Sequence, residues 1–174
     1  MSKKIAILYS TVDGQTLKIS KFIEDNLIKK GHNVQLFSME DFNSKINNFD
    51  IFIIGASIRY GVHNQKVIDL INTNQTNLES IKTAFFSVNL VARKPEKSTP
   101  TTNPYVVKFL KSIQWKPTIV AVFAGNLDYQ KYPFFDRIMI QFIMWMTKGP
   151  TNSNAKIEYT DWKKVESFCD LVDL

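Results

Sequence analysis

Short apolar runs alternate with longer segments of helical periodicity along the whole chain. The runs are nearly continuous, which is typical of parallel strands buried on both faces. Between the first two runs, Ile19, Ile23 and Leu27 recur at helical spacing, and Gly31 follows as a C-terminal cap. The predicted strands cover residues 5–9, 33–37, 50–54, 83–87 and 118–124, and the predicted helices cover 15–30, 64–75, 102–113 and 160–173.

This alternation predicts an α/β fold: a doubly wound, five-stranded parallel sheet with helices on both faces. The 174 residues contain no internal repeat or linker, so we expect a single domain over residues 1–174. One irregularity is a long apolar and basic insertion near the fifth strand, residues 126–152, after which residues 156–158 are expected to resume the sheet edge as a short strand. Insertions of this length are usually functional.

The turn after the first strand is rich in hydroxyl groups and leads directly into a helix. Ser10, Thr11 and Thr16 surround Gly14, where the missing Cβ lets the backbone approach a ligand. The first N–H groups of a helix lack intrahelical partners and carry partial positive charge, so this turn is suited to a phosphate. The chain has neither the Gly-Lys-Ser/Thr ending of a Walker loop nor the three spaced glycines of a dinucleotide fingerprint here. Asp13 is expected to point away from the phosphate and to cap helix N–H groups.

Two further loops are expected at the same edge of the sheet, because ligands of doubly wound sheets bind beyond the carboxyl ends of the strands. Residues 56–61 follow the third predicted strand and contain Arg59 and Tyr60. Residues 88–97 follow the fourth predicted strand and contain several cations. The three loops together predict a ligand site at this edge.

The net charge of +6 and the pI near 9.3 favour acidic partners. An anionic membrane surface or a small substrate with carboxylates fits better than nucleic acid, because the basic residues are scattered along the chain. The single cysteine, Cys169, excludes an internal disulfide and is expected to be buried on the last helix. With only His32 and His63 as imidazole ligands, no metal site is expected. His63 is expected at the surface, near a helix start.

The segment 134–146 within the insertion is almost entirely apolar. As a helix it would be roughly 20 Å long at about 1.5 Å per residue, too short for a bilayer span of roughly 20 residues. Arg137, Gln141 and Lys148 lie near one another at helical spacing and leave a wide apolar face, suited to a membrane surface or to a quinone. The alternative is that this face packs on the protein's own sheet or on a second subunit. The candidate contact residues are Phe134, Phe135, Ile138, Met139, Phe142, Ile143 and Met146.

The phosphate-loop pattern resembles flavodoxin-like proteins: Ile7, Leu8 and Tyr9, then Thr11, Gly14 and Thr16. The resemblance implies FMN held by its phosphate, with the ring between the second and third loops. Tyr60 would offer an aromatic face, and Ser57, Asn89 and backbone amides would bond its polar edge. The candidate cofactor-binding residues are Ser10, Thr11, Val12, Asp13, Gly14, Gln15, Thr16, Ser57, Ile58, Arg59, Tyr60, Gly61, Ser87, Val88, Asn89, Leu90, Arg93, Gly125 and Asn126.

Three longer segments, residues 55–61, 87–97 and 159–162, resemble the menaquinone-dependent protoporphyrinogen IX dehydrogenases of bacteria. The likeness covers nearly the whole chain and includes Asp13 in the phosphate loop. It implies an FMN enzyme of haem biosynthesis that removes six electrons from protoporphyrinogen IX and passes them to menaquinone or ubiquinone. From the apolar insertion and its flanking cations we expect a peripheral position on the cytoplasmic face of the bacterial inner membrane, and a homo-oligomer is left open.

The tetrapyrrole substrate would carry two propionates, which arginine binds in a bidentate fork. The candidate propionate-binding residues are Arg59, Arg93, Lys94, Lys131 and Arg137. The sequence contains no evident acid-base pair, so no side chain is assigned as catalytic. Three alternatives stay open: an NAD(P)H:quinone oxidoreductase, a flavodoxin-type electron carrier, and a quinone-binding subunit without FMN. The basic charge and the apolar insertion both disfavour the carrier, since flavodoxins that shuttle electrons are typically acidic.

Overall fold

A computed structural model describes all residues from Met1 to Leu174. It contains eight strands and six α-helices, joined by turns and four short 3-10 helices. The strands are β1 (Lys4–Ser10), β2 (Asn33–Ser38), β3 (Ile51–Arg59), β4 (Val62–His63), β5 (Lys82–Asn89), β6 (Ile119–Ala124), β7 (Asn126–Asp128) and β8 (Lys156–Glu158). The helices are α1 (Gln15–Lys29), α2 (Gln65–Thr73), α3 (Gln75–Glu79), α4 (Pro104–Ser112), α5 (Phe134–Met146) and α6 (Trp162–Asp173).

The main sheet is a parallel array of five strands in the order β2-β1-β3-β5-β6. This confirms the predicted doubly wound sheet. Successive side chains of a strand point to opposite faces, and both faces are buried here. Ile5 and Ile7 pack with α1 and α6 on one face, whereas Ala6 and Leu8 pack with α2, α3 and α4 on the other. Cys169 is buried with the first group, as predicted.

Strand β3 is longer than the sequence pattern predicted. It continues to Arg59 and pairs antiparallel with the two-residue strand β4, with Ile58 opposite His63. Tyr60 and Gly61 form the turn, and both have a positive φ, 52° and 79°. Two left-handed residues give the hairpin turn that matches the twist of its strands. The predicted loop 56–61 is therefore the end of a strand and a tight hairpin.

The short strand β8 does not resume the edge of the main sheet, which corrects the prediction. It pairs antiparallel with β7 in a separate two-stranded sheet, with Asn126 opposite Glu158. The change of direction occurs at Gly125, whose carbonyl accepts a hydrogen bond from the amide of Tyr159 at 3.0 Å. The chain thus leaves the main sheet after β6, and β7 and β8 are the base of the insertion.

The insertion helix α5 covers the predicted segment, from Phe134 to Met146. Pro133 precedes its first turn, where a missing N–H and a fixed φ suit a helix start. Its buried residues are Asp136 and Met144, so most of its apolar side chains lie outside the core. Neither α5 nor any other helix has the length and hydropathy that a membrane span requires.

Candidate functional site

A cleft of about 490 Å³ opens at the carboxyl ends of β1, β3 and β5, where the sequence predicted a ligand site. The helix α5 forms one of its walls. Thirteen of the candidate cofactor-binding residues line it: Asp13, Gln15, Thr16, Ile58, Arg59, Tyr60, Gly61, Val88, Asn89, Leu90, Arg93, Gly125 and Asn126. The other candidates, which do not line it, are Ser10, Thr11, Val12, Gly14, Ser57 and Ser87.

The phosphate loop begins α1 with a left-handed residue, Gly14, at φ 88°. No atom lies within 4 Å of the position that a Cβ would occupy there, so a side chain would strain the backbone without meeting a neighbour. The hydroxyl of Thr11 accepts a hydrogen bond from the amide of Gly14 at 3.0 Å and shapes the loop. The hydroxyl of Thr16 is buried and has no hydrogen-bond partner in the protein. An unsatisfied buried donor next to free helix N–H groups is suited to an anionic ligand.

Asp13 does not cap α1, contrary to the prediction, because the helix has no side-chain cap. Its carboxylate instead accepts a hydrogen bond from the Arg59 guanidinium at 3.3 Å. Burial raises the pKa of the Asp13 carboxyl, and the charge of Arg59 opposes that rise. Asp13 therefore ties the phosphate loop to the β3–β4 hairpin.

Arg59 is bound by two carboxylates. Besides Asp13, it donates a very short hydrogen bond to Asp136, the buried acid in the first turn of α5. The Asp136 carboxylate also accepts a hydrogen bond from the hydroxyl of Tyr60 at 2.6 Å. The Arg59 guanidinium lies 5.4 Å from the ring centre of Tyr60 and 5.9 Å from that of Tyr132. Arg59 is thus already paired, which argues against its predicted role in binding a propionate.

His63 is buried, which corrects the predicted surface position. The residue is 4% exposed, and its ring lies against Phe85 and Phe109, with ring centres 5.4 and 4.5 Å away. Burial lowers the pKa of His63 to about 4, because the charged imidazolium would lose its water. Its Nε2 atom lies 3.0 Å from the hydroxyl of Ser87. His63 is therefore neutral and part of the interior beneath the cleft.

The side chain of Asn89 bonds to the protein itself, although the sequence suggested it as a partner for the cofactor. Its oxygen accepts hydrogen bonds from the amide of Ala92 and from the side chain of Asn103, both at 3.0 Å. Its nitrogen donates to the Ser87 hydroxyl at 3.3 Å. These contacts shape the turn after β5, so Asn89 lines the cleft as a structural residue.

Three cations from the loop after β5 line the opposite part of the cleft. Arg93 donates to the carbonyl of Leu90 at 3.0 Å and to the hydroxyl of Thr147 at 2.8 Å, and both partners are neutral. Lys94 and Lys97 are half-buried. None of the three forms an ion pair, whereas the Arg59 end holds two carboxylates for one cation. The cleft therefore has a positive end and a near-neutral to acidic end.

The structure divides the candidate residues of the insertion into those that line the cleft and those that do not. Lys131 and Arg137 do not line the cleft, and Arg137 donates instead to the carbonyl of Tyr132 at 3.5 Å. Met139 and Ile143 line the cleft. The remaining apolar candidates face outward and are exposed: Phe134, Phe135, Ile138, Phe142 and Met146. The exposure of this face disagrees with packing on the protein's own sheet.

Several residues of the cleft were not among the candidates predicted from the sequence. Asp136 was detectable as a lone acid in an apolar segment, and Lys97 as a further cation of the loop after β5. Outside the cleft, Trp145, 69% exposed, was detectable as a further member of the outer apolar face. The remaining unassigned cleft residues carry no local signal, because only the fold brings them together. They are Val91, Tyr105, Tyr132, Ile140, Met144 and Thr147.

Comparison with known proteins agrees with this architecture. The flavodoxin domain family matches residues 6–154. A flavoprotein from Lactobacillus acidophilus NCFM, solved in complex with FMN, has a TM-score of 0.51 at 16% identity and covers 70% of this chain and 93% of its own. The chain therefore belongs to the flavodoxin-domain proteins.

Sequence similarity identifies a narrower family within the flavodoxin-domain proteins. A relative in Escherichia coli strain K12, protoporphyrinogen IX dehydrogenase [quinone], is 43% identical over 95% of this chain and 92% of its own length. A relative of the same name in Leishmania major is 43% identical over 96% of this chain and 73% of its own length. The chain belongs to the family of the quinone-dependent protoporphyrinogen IX dehydrogenases.

Proposed function

We propose that this protein binds FMN and oxidises protoporphyrinogen IX to protoporphyrin IX, with menaquinone or ubiquinone as the electron acceptor. The observation that carries the proposal is the cleft itself: a phosphate loop at one edge, unpaired cations at another, and an apolar wall from α5. Family membership at 43% identity supports the same reaction.

The residues of the loop fit the phosphate of FMN. The free N–H groups at the start of α1 and the unpartnered hydroxyl of Thr16 are donors without acceptors in the protein. Gly14 leaves open space beside them. Tyr60 and the turn after β5 lie on either side of the cleft and would hold the flavin ring. Bound there, FMN would supply two-electron redox chemistry that no side chain of the chain can provide.

The positive end of the cleft fits the carboxylates of the substrate. Arg93, Lys94 and Lys97 have no acidic partner, so two propionates would meet uncompensated charge there. Removing six electrons from the porphyrinogen requires three two-electron turns, and six protons leave with them. No titratable group is poised over the cleft as a dedicated base, because His63 is buried beneath it and Asp13 and Asp136 are paired with Arg59.

The outer face of α5 supports a peripheral position on a membrane, which we propose to be the cytoplasmic face of the bacterial inner membrane. It exposes a continuous set of large apolar side chains, including Phe135, Phe142 and Trp145. A helix with one apolar face and neighbouring cations binds the interface of an anionic bilayer. The helix also forms the wall of the cleft, so a lipid-dissolved quinone would reach the cleft from this side. A second subunit on the same face is the alternative.

Anaerobic turnover tests the proposal. The FMN-loaded protein is mixed with protoporphyrinogen IX, and porphyrin fluorescence is followed with and without a menaquinone analogue and against a protein-free control. We expect fluorescence that grows only when the quinone is present. FMN binding without porphyrin formation would refute the assignment, and rapid flavin reduction by NADH or NADPH would favour a nicotinamide-driven quinone reductase instead. Failure to retain FMN would favour the quinone-binding subunit.

A further inference from the structure

Asp136 is a buried acid with no role in the function proposed above. It is 8% exposed and lies in the first turn of α5, a helix whose other buried residue is Met144. An unpaired carboxylate at this depth would be costly, so its partners matter for where the helix sits. Both of its partners come from the β3–β4 hairpin: the guanidinium of Arg59 and the hydroxyl of Tyr60.

The two partners connect Asp136 to the cofactor site by separate routes. Arg59 continues to Asp13 at 3.3 Å, and Asp13 lies next to Gly14 in the phosphate loop. Tyr60 lines the cleft, and its backbone is left-handed at φ 52°, a conformation that is unfavourable for a residue with a side chain. Tyr60 is 66% exposed, and its hydroxyl is held by the hydrogen bond to Asp136.

We propose that Asp136 is a positioning residue that couples the insertion helix to the cofactor site. Its carboxylate holds the Tyr60 ring over the cleft and fixes α5 as the wall beside it. The same carboxylate holds Arg59 in the bridge to Asp13, so the helix, the hairpin and the phosphate loop keep one relative placement. The inference rests on the proposed binding of FMN, but not on the identity of the substrate or of the quinone.

Flavin binding and flavin fluorescence test this coupling without any turnover. A tyrosine stacked on a flavin quenches its fluorescence by electron transfer from the phenol, so the fluorescence of bound FMN reports the placement of Tyr60 in variants that keep this residue. Asp136→Ala removes the anchor, and Tyr60→Phe removes only the hydroxyl while keeping the ring. Each change is expected to raise the Kd for FMN about tenfold, and Asp136→Ala, which keeps the tyrosine, is also expected to raise the fluorescence of bound FMN. The double variant is expected to match Asp136→Ala alone, because both changes break the same contact.

Two further variants separate positioning from simple loosening of the insertion. Asp136→Asn keeps the shape and an acceptor for Tyr60, so bound FMN should stay quenched. Asp128→Asn alters another buried acid of the insertion, 5% exposed, which caps the turn after β7 and contacts neither Arg59 nor Tyr60. We expect Asp128→Asn to leave the fluorescence of bound FMN unchanged.

Additive effects of Asp136→Ala and Tyr60→Phe on the Kd for FMN would overturn the inference, and so would a fluorescence rise in Asp128→Asn equal to that in Asp136→Ala. Tyr60→Phe changes an exposed side chain, so the result for this variant does not depend on whether Asp136→Ala folds. A wild-type chain that binds no FMN would overturn the proposed function together with this inference. FMN binding with no coupling would overturn this inference alone.

Discussion

The Nε2 atom of His63 lies 3.0 Å from the hydroxyl of Ser87, in the interior beneath the cleft. The same hydroxyl accepts a hydrogen bond from the Asn89 side chain, which in turn shapes the turn after β5. His63 lies on β4 and follows the Tyr60–Gly61 turn closely. One neutral imidazole therefore joins the two loops on either side of the cleft.

The burial of His63 makes stability depend on pH. Its pKa is lowered from 6.5 to about 4 in the native state, so the unfolded chain takes up a proton first as the pH falls. The contribution of His63 to stability is complete above pH 6.5 and is lost progressively down to pH 4. Between pH 7.5 and 5 we expect the free energy of unfolding to fall by about 2 kcal/mol from this group.

Urea unfolding at several pH values measures this loss, with His63→Gln as the comparison. Glutamine keeps a hydrogen-bonding group near Ser87 but does not titrate. The variant should lose the part of the pH dependence that belongs to His63, while His32 is present in both proteins. If the free energy of unfolding fell equally steeply with pH in the two proteins, the buried neutral state of His63 would be contradicted.

The hydroxyl of Thr16 is expected to serve the ligand and not the fold. It is buried without a partner, so Thr16→Val should leave the stability of the FMN-free protein unchanged or slightly raised. The same change should weaken FMN binding about tenfold. Ser20, one turn further along α1, also has a buried hydroxyl without a partner but does not line the cleft. Ser20→Ala is the control and should leave the Kd for FMN unchanged. Equal losses in both variants would exclude a specific role for Thr16.

Lys94 and Lys97 are expected to set the affinity for the dicarboxylate substrate. Replacing both by Met removes two unpaired charges from the cleft, so KM for protoporphyrinogen IX should rise about tenfold or more, with a smaller change in kcat. The Kd for FMN should not change. The matched control is Lys108→Met with Lys111→Met, which removes the same charge from the exposed side of α4. A rise in KM with the control pair would indicate an effect of net charge alone.

Trp145 provides a direct signal for contact with a membrane. It is 69% exposed on α5, whereas Trp115 is buried. Vesicles that contain anionic lipid should shift the Trp emission to shorter wavelength, and Phe142→Asp should abolish the shift and the binding. Leu171→Asp alters an exposed apolar side chain on α6 and should change neither. Self-association without vesicle binding would assign the outer face of α5 to a second subunit.

The sheet and the insertion helix were predictable because their patterns are local. Continuous apolar runs such as residues 50–54 have the length and composition of doubly buried strands, and the apolar segment 134–146 carries a proline just before it. The pairing of β8 was wrong because periodicity gives a strand but not its neighbour. The chain changes direction at Gly125, and β8 meets β7 instead of the main sheet.

The cleft was predictable in position but not in its contacts. The carboxyl ends of parallel strands meet at one edge, so the three loops could be brought together from the sequence. The partners of Arg59 could not be predicted from the sequence, because they depend on the rotation of α5 about its axis. A helix with apolar residues around most of its circumference has no single buried face, and tertiary packing turned Asp136 inward.

The pairing of Asn126 with Glu158 has a consequence for how this chain can vary. The chain leaves the main sheet after β6, and β8 pairs with β7 close to that point, so residues 129–155 form one insertion closed by the β7–β8 pair. The entropic cost of closing a flexible loop rises only about 0.6 kcal/mol for each doubling of its length. Residues 129–155 can therefore change in length or sequence with little cost to the parallel sheet, provided that Asp136 keeps its contacts with the β3–β4 hairpin.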